Sequence, residues 1–380
     1  MSNSRASRQI EEEAIRVARR YPRQTLILLV IAGVILLGYY VWKNWPERRT
    51  PPPVSGSGEP ATFLFCSWNV ENLFDDEDDP NFRDTHEDWL GSDPAAFRQK
   101  VDHLADGLLK MNGGVGPDIA CLVEVESERA VSALKDAVNA KLEAAGHSER
   151  KFEHALFKKD YTGRRIAPAI LTRVGVEADR TRKLGKSRNG RILEGHLHHN
   201  GHELVVIVAH WTSRVTDKEG DGSRRVDYAE DCYGRVKAIL HENPDADVIV
   251  CGDFNDEFTD RSIQQVLHAS ASADEVRNSV GEPRLLDLFA NWSGDPPGTI
   301  YGRGKWSVFD HICVTRGVLD DRGWSCDPGS ATIFAPEAFR RKRGARFEPF
   351  EFGSRNDKGP RGYSDHFPVT VQLNVAAAPQ

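Results

Sequence analysis

Apolar runs give way to carboxylates, carboxamides and imidazoles at five places along the chain. They read SWNVENLFD (67–75), LVEVES (122–127), VAHWTSR (208–214), CGDFND (251–256) and the pair FDHI (309–312) with YSDHFPV (363–369). The end of a strand lies at the rim of its sheet, so each segment offers polar side chains where a ligand can reach them. Carboxylate and carboxamide oxygens suit a hard divalent cation, Mg²⁺ first and Mn²⁺ as well. In GDFND a glycine permits a sharp turn, and Asp253 and Asn255, two residues apart, can point to one side of an extended chain. One such segment by itself reads equally as a capped or Asx-type turn; the five together are a constellation.

Those segments need elements to carry them. Short apolar runs predict strands over 62–69, 118–124, 166–173, 191–199, 203–210, 247–252, 308–315 and 368–374. Helical spacing predicts helices over 94–111, 127–145 and 223–242, with Ser92 or Asp93 and Ser127 as caps, Gly146 as a stop and Asn243-Pro244 after the third. Asn200-Gly201 stands between two strand-like runs and signals a tight antiparallel hairpin, because both residues tolerate positive φ. The simplest arrangement is α/β: two stacked mixed sheets with helices outside. Pro168 inside RRIAPAILTR marks an edge or bulge position.

Hydrophobic residues make up 39% of the 380 and charged residues 28%, with 32 Gly and 20 Pro. This excludes a disordered, collagen-like or polytopic membrane chain. Charge is split: residues 1–50 carry nine Lys/Arg against four Asp/Glu, leaving 41 basic and 53 acidic residues in 51–380. An acidic domain of that sign meets a polyanion only through local basic loops or bound cations. The segments 180–191 and 340–346 could supply such loops or be solvated faces. Six cysteines without a CxxC rule out a disulfide scaffold. Cys66, Cys121, Cys251 and Cys313 read as small buried hydrophobes, and Cys232 with Cys326 is the pair to test for a bridge.

Leu26 to Trp42 is a run of 17 residues without a charge, close to the ~20 that span a bilayer core as a helix. Six arginines precede it and no cleavage-type small residues follow it, so the segment reads as a retained anchor with a cytoplasmic N-terminus. The expected order is a basic cytoplasmic tail (1–24), a transmembrane helix (25–43), a Pro/Gly/Ser linker (44–61) and an extracytoplasmic catalytic domain (62–376). No protein partner is inferable.

From about Phe63 to Val375 the order and chemistry of the five blocks resemble the endonuclease/exonuclease/phosphatase superfamily of metal phosphoesterases. NVENLFD, followed by the acidic DEDDP and then EVE, looks like the bacterial secreted or surface nucleases of that group. The resemblance implies a four-layer α/β/β/α sandwich. It also implies Glu124 as the primary Mg²⁺ ligand, Asn69 beside it and Asp365 completing the metal side. Asp253 would orient and deprotonate the attacking water, and Asn255 would bind the scissile phosphate. His366, oriented by Asp310, and His210 would contact phosphoryl oxygens. Arg165, or Arg164 next to it, is a candidate substrate-phosphate ligand, and Trp306 a candidate pocket wall or core residue.

The chemistry agrees: a phosphodiester repels nucleophiles and must expel an alkoxide, so it needs cations on its nonbridging oxygens and an aligned base. The implied activity is a membrane-anchored phosphodiesterase, in first place a nuclease on DNA or RNA. The alternatives are a lipid or inositol-phosphate phosphoesterase and a catalytically silent tethered binding module. Two further features tempt. His196, His198, His199 and His202 around the hairpin lack the spacing of a closed zinc site and read as a solvated tip. The acidic run 75–79 lacks the spacing of a calcium loop and reads as a surface loop.

Overall fold

The longer strands, in chain order, are β1 (Ala61–Leu73), β2 (Ile119–Val125), β3 (His154–Phe157), β4 (Ala167–Thr172), β5 (Ile192–His199), β6 (His202–His210) and β7 (Val248–Asp253). They continue with β8 (Leu285–Asp287), β9 (Ile300–Gly302), β10 (Lys305–Ser307), β11 (Asp310–Val314), β12 (Trp324–Cys326), β13 (Arg340–Arg343), β14 (Arg346–Pro349) and β15 (Val369–Val375). The helices are α1 (Pro94–Leu109), α2 (Glu128–Ala144), α3 (Ser223–Glu242) and the short α4 (Ala273–Arg277). This computed structural model describes residues 58–77, 89–160, 164–185, 191–217, 222–344 and 346–379. The expected tail, the apolar segment 25–43 and the linker up to residue 57 lie outside the described residues. Among the described residues no helix is long and apolar enough to cross a membrane.

The strands form two mixed sheets. The first runs β12-β15-β1-β2-β4-β3, with β1 and β2 parallel and the other neighbouring pairs antiparallel. The second runs β8-β11-β7-β6-β5, with β6 and β7 parallel, and two-residue strands extend both ends. Side chains alternate across β6 as a two-sided strand requires. Leu204, Val206 and Val208 enter the core shared with the first sheet, whereas Val205, Ile207 and Ala209 pack with Tyr228, Cys232 and Val236 of α3. The outer face of the first sheet is covered by Val101, Leu104 and Leu108 of α1 and by Val131, Leu134 and Val138 of α2. Helices therefore lie outside both stacked sheets, and each fully buried aliphatic side chain contributes about 1.5–3 kcal/mol.

Local signals act as their chemistry dictates. Asp93 accepts a hydrogen bond from Ala96 N at 3.0 Å and Ser127 from Ala130 N at 3.1 Å, capping α1 and α2. Asn200 and Gly201 take φ of 51° and 80° in the β5–β6 hairpin. Pro168 lies inside the sheet, between β2 and β3, where the register slips from Leu122↔Ala169 to Val125↔Ala167. It sits at a bulge and not at an edge.

Two readings are corrected. Of the four hairpin histidines, His198 and His202 are half-buried, and His196 and His199 are buried and do not belong to a solvated tip. His196 is buried 2.8 Å from both Glu194 and Glu203, and His199 packs edge-on to Phe63 at 4.8 Å, because the sheet's neighbours cover that end. Cys232 and Cys326 are free, and Cys232 belongs to the buried core under α3. In the acidic run, Asp75 is buried and accepts from the Ser127 hydroxyl, while Asp76 pairs with Arg129; residues 78–79 lie outside the described residues.

Candidate active site

Three neighbouring strands deliver one row of side chains. In the second sheet Asp253 pairs with His210 across the parallel β6–β7 ladder and with Asp310 across the antiparallel β7–β11 ladder. Directly opposed residues share a face, so His210, Asp253 and Asp310 point together from the strand ends. The first sheet contributes through bulges. Between Asn69 and Leu73, β1 carries two more residues than β2 does between Val123 and Val125. The extra length puts Glu71 and Asn72 in the left-handed region, with φ of 53° and 56°. Glu124 at the β2 bulge (φ 69°) and Asn255 just past β7 (φ 53°) are left-handed as well. Such backbone is unfavourable by about 1 kcal/mol or more per residue and concentrates where a side chain must be re-aimed.

The re-aimed groups converge. Asn69 Nδ2 donates to Asp253 Oδ2 at 3.0 Å and to Glu124 Oε1 at 3.3 Å, and Glu124 Oε2 accepts from Asn72 N at 2.8 Å. His210 Nε2 lies 3.6 Å from Glu124 Oε1 and 3.7 Å from Asp253 Oδ2. His366 Nδ1 is 2.7 Å from Asp310 Oδ2, and its Nε2 is 3.8 Å from Asp253 Oδ2. Asp253 Oδ1 accepts from Asn255 N at 2.9 Å, and Asn255 Nδ2 donates to Trp211 O at 3.2 Å. Ser364, in the segment before β15, donates to Asn69 O at 2.6 Å and holds that segment against β1. Asn69, Asn72, Glu124, His210, Asp253, Asn255 and His366, with Asp365, Arg164, Arg191, Arg224 and Ile300, line a cleft of about 480 Å³.

Burial works against every charge here, and the neighbours decide which survive. Burial lowers the His210 imidazole to about 3 against the pull of Glu124, which leaves it neutral at pH 7. Burial opposes ionisation of Glu124, yet the surrounding His210, Arg164, His366 and Asn69 hold its pKa at about 2. With His210 neutral, the attraction comes from Arg164 and His366. Burial, with Asp310 nearby, raises Asp253 to about 7 despite His366 and Asn69. His366 is lifted well above the usual histidine range, because Asp310, Asp253 and Asp365 outweigh its burial. Asp365 is raised by burial and by Glu124.

The oxygen donors fit a hard divalent cation: an ionised Glu124, the Asn69 carboxamide and the Asp365 carboxyl share one solvent-connected cleft. Asp253, Asp310 and His366 also offer ligand atoms within 4.8 Å of one another. Within that group Asp310 and His366 Nδ1 already share a hydrogen bond of 2.7 Å.

Eight sequence-predicted residues meet in this cleft: Asn69, Glu124, His210, Asp253, Asn255, Asp365 and His366 on its walls, with Asp310 behind His366. Two do not. Arg165 takes φ 56° and is absent from the lining, whereas Arg164 lines the cleft and donates to Asn72 Oδ1. Trp306 lies outside the cleft, stacked on Phe367 with centroids 6.0 Å apart. Sequence reasoning missed the pair Lys100 and Glu71. The Lys100 ammonium is buried, donates to Tyr363 O at 3.0 Å and lies 3.7 Å from Glu71. The Glu71 carboxylate accepts from Phe352 N and Gly353 N at 2.6 and 2.8 Å. This buried latch ties the loop leading to Asp365 onto β1. A lysine at an inward-facing position of α1, four residues before Leu104, was the available signal.

Carboxylates and a carboxamide for a cation, a carboxylate-paired histidine and a ring of arginines at the mouth of a two-sheet sandwich are the layout of a metal-dependent phosphoesterase. A family model described as Endonuclease/Exonuclease/phosphatase family matches residues 64–375, and the chain belongs to that family. It is a phosphoric ester hydrolase of that type. Among solved structures it is similar to an endonuclease/exonuclease/phosphatase family protein from Bacteroides thetaiotaomicron, with a TM-score of 0.51 at 16% identity, over 83% of this chain and 99% of that one. It is also similar to a mannosyl-6-phosphatase from Bacteroides thetaiotaomicron, with a TM-score of 0.50 at 17% identity, over 82% of this chain and 99% of that one. At these identities the likeness is one of fold. No curated protein sequence matches significantly.

Proposed function

We propose that the chain is a membrane-tethered, Mg²⁺-dependent phosphodiesterase that works outside the cytoplasm as a nuclease on DNA or RNA. The observation that carries this reading is the cleft itself, whose acidic floor of Glu124, Asp253 and Asp365 is rimmed by Arg164, Arg191 and Arg224. Cations at the rim of an acidic domain suit a polyanionic chain passing over a single hydrolytic centre. The 17-residue apolar run and its upstream arginines support the tether.

Glu124, with Asn69 and Asp365, would hold Mg²⁺, which when bound neutralises charge on a nonbridging phosphate oxygen and on the departing alkoxide. The remaining work falls to side chains. His366, with Nδ1 committed to Asp310, turns a protonated Nε2 toward the phosphoryl oxygens. Asp253, raised to about 7 by its burial, accepts the proton of the attacking water. Asn255 keeps one amide proton on Trp211 O and has a second for the phosphate. Neutral His210 adds a donor beside Glu124.

The test is a panel of plasmid DNA, RNA, sphingomyelin and inositol phosphates, offered to the full chain in detergent with Mg²⁺. DNA or RNA is cleaved, EDTA abolishes cleavage, and Asp253→Ala or His366→Ala lowers kcat by about 10³-fold. Full turnover by either variant, or exclusive hydrolysis of the lipid or the inositol phosphates, overturns the reading. In fractionated cells the full chain sediments with membranes, and a chain lacking residues 1–43 does not.

A further inference from the structure

Beside the cleft stand two hairpins, β9–β10 and β13–β14, that carry none of the side chains assigned to the chemistry. They join the cleft through Ile300, which lines it and bridges to His366, and through Phe367, the next residue along. Between the hairpins lies a pocket of about 90 Å³ walled by the rings of Trp306, Phe347 and Phe367 and by Arg340, Arg346 and Asp295. Trp306 is held in place by stacking on Phe367 (6.0 Å, 17°) and by the edge of Tyr301 (5.3 Å, 70°). The Arg346 guanidinium lies 4.5 Å over Tyr301, and Arg340 pairs with Asp295 at 2.7 Å. Phe347 is 44% exposed.

We propose that this pocket takes an unpaired nucleobase of the substrate, next to the scissile phosphate, so that the preferred substrate is a single-stranded or frayed polynucleotide. The proposal rests on the nuclease reading and names its substrate class. Flat aromatic walls accept any base face, and stacked guanidinium groups add attraction for both the π-system and the backbone. The segment 340–346 holds five cations against the three carboxylates Asp295, Glu348 and Glu351 that pair with four of them, a local positive excess in a domain that is acidic as a whole and the charge a polynucleotide strand complements. A membrane is the poorer occupant. Phe347 is the one large exposed hydrophobic on these hairpins among the described residues, and interfacial insertion needs a broad apolar face.

The experiment uses the full chain in detergent with Mg²⁺. Its substrates are a short single-stranded oligothymidylate, the same length of duplex, and bis(p-nitrophenyl) phosphate. Phe347→Ala, at an exposed position, raises KM for the single strand about tenfold, the scale of one lost base stack, with kcat retained, and Phe347→Trp restores it. An abasic residue scanned along the oligothymidylate reproduces the rise at one position in the wild type and adds nothing in Phe347→Ala. Unchanged KM in Phe347→Ala, or tolerance of the abasic residue at every position, overturns the pocket while leaving the nuclease reading intact. An unchanged oligonucleotide KM together with weaker binding of Phe347→Ala to anionic phosphatidylserine vesicles, measured without detergent on the chain lacking residues 1–43, assigns the hairpin to a membrane and overturns it too. Hydrolysis of the small diester without cleavage of either polynucleotide instead removes the nuclease reading.

Discussion

Asp310 reaches His366 Nδ1 at 2.7 Å inside the protein, where burial would otherwise strip the imidazole of its proton. Replacing it by Asn keeps the hydrogen bond and removes the charge. In Asp310→Asn the His366 pKa falls, so the imidazole loses its proton at lower pH and the alkaline limb of activity moves down; kcat drops about 10²–10⁴-fold. Histidine ¹H–¹⁵N spectra and a pH–rate profile check both. The buried latch gives a second residue-scale expectation. Burial lowers the Lys100 pKa and raises Glu71 to about 7, so each ion leans on the other. Lys100→Met strands the Glu71 carboxyl and Tyr363 O, and urea unfolding should show a loss of about 3 kcal/mol. Wild-type stability in that variant would mean that the latch holds nothing.

Among the elements, the strand ends carry the site only because neighbouring backbones approach closely. Gly252, one residue before Asp253, takes φ 132°, and a Cβ there would lie 1.9 Å from Ala209 O. Gly252→Ala must push β7 away from β6 and separate His210 from Asp253. The expected outcome is a variant that is poorly folded, or folded with at least tenfold lower kcat, read by circular dichroism and a diester assay. The strands that bear the site were legible because their apolar runs are long. The structure begins and ends them within one or two residues of expectation, apart from β1, which the bulge carries on to Leu73. β3 and β8, four and three residues long, were not legible, because so short a run has no measurable period.

The whole molecule carries its acidic excess by pairing it. Glu194, fully buried in the second sheet, is engaged by His196, Arg235 and Arg182. Burial would raise its pKa, but these partners hold it at about 2. Its unfolded value lies near 4.3, so the folded state binds the proton less readily. The stabilisation is complete above that value and disappears as pH falls toward 2, an effect on the order of 2–3 kcal/mol. Unfolding curves of the wild type and Glu194→Gln from pH 6 to pH 2 should converge as the pH drops. A constant gap between them would show that Glu194 titrates alike in both states.

The amino-acid order alone determined the α/β class, the caps and the β5–β6 hairpin, which follow from local periodicity and turn chemistry and need no knowledge of distant contacts. The eight polar residues of the candidate centre stood out through the order of their five segments and its resemblance to a known family. Only the tertiary structure decided that Arg164 faces the cleft in place of Arg165, that Trp306 belongs to a pocket beside it, and that Lys100 and Glu71 lock the loop behind Asp365. The physical reason is that a loop, hairpin or helix side chain turns toward whatever distant segment packs against it: Arg164 toward Asn72, Trp306 toward Phe367, and Lys100 toward Glu71 and Tyr363. Those partners lie tens to hundreds of residues away, and no single segment encodes them.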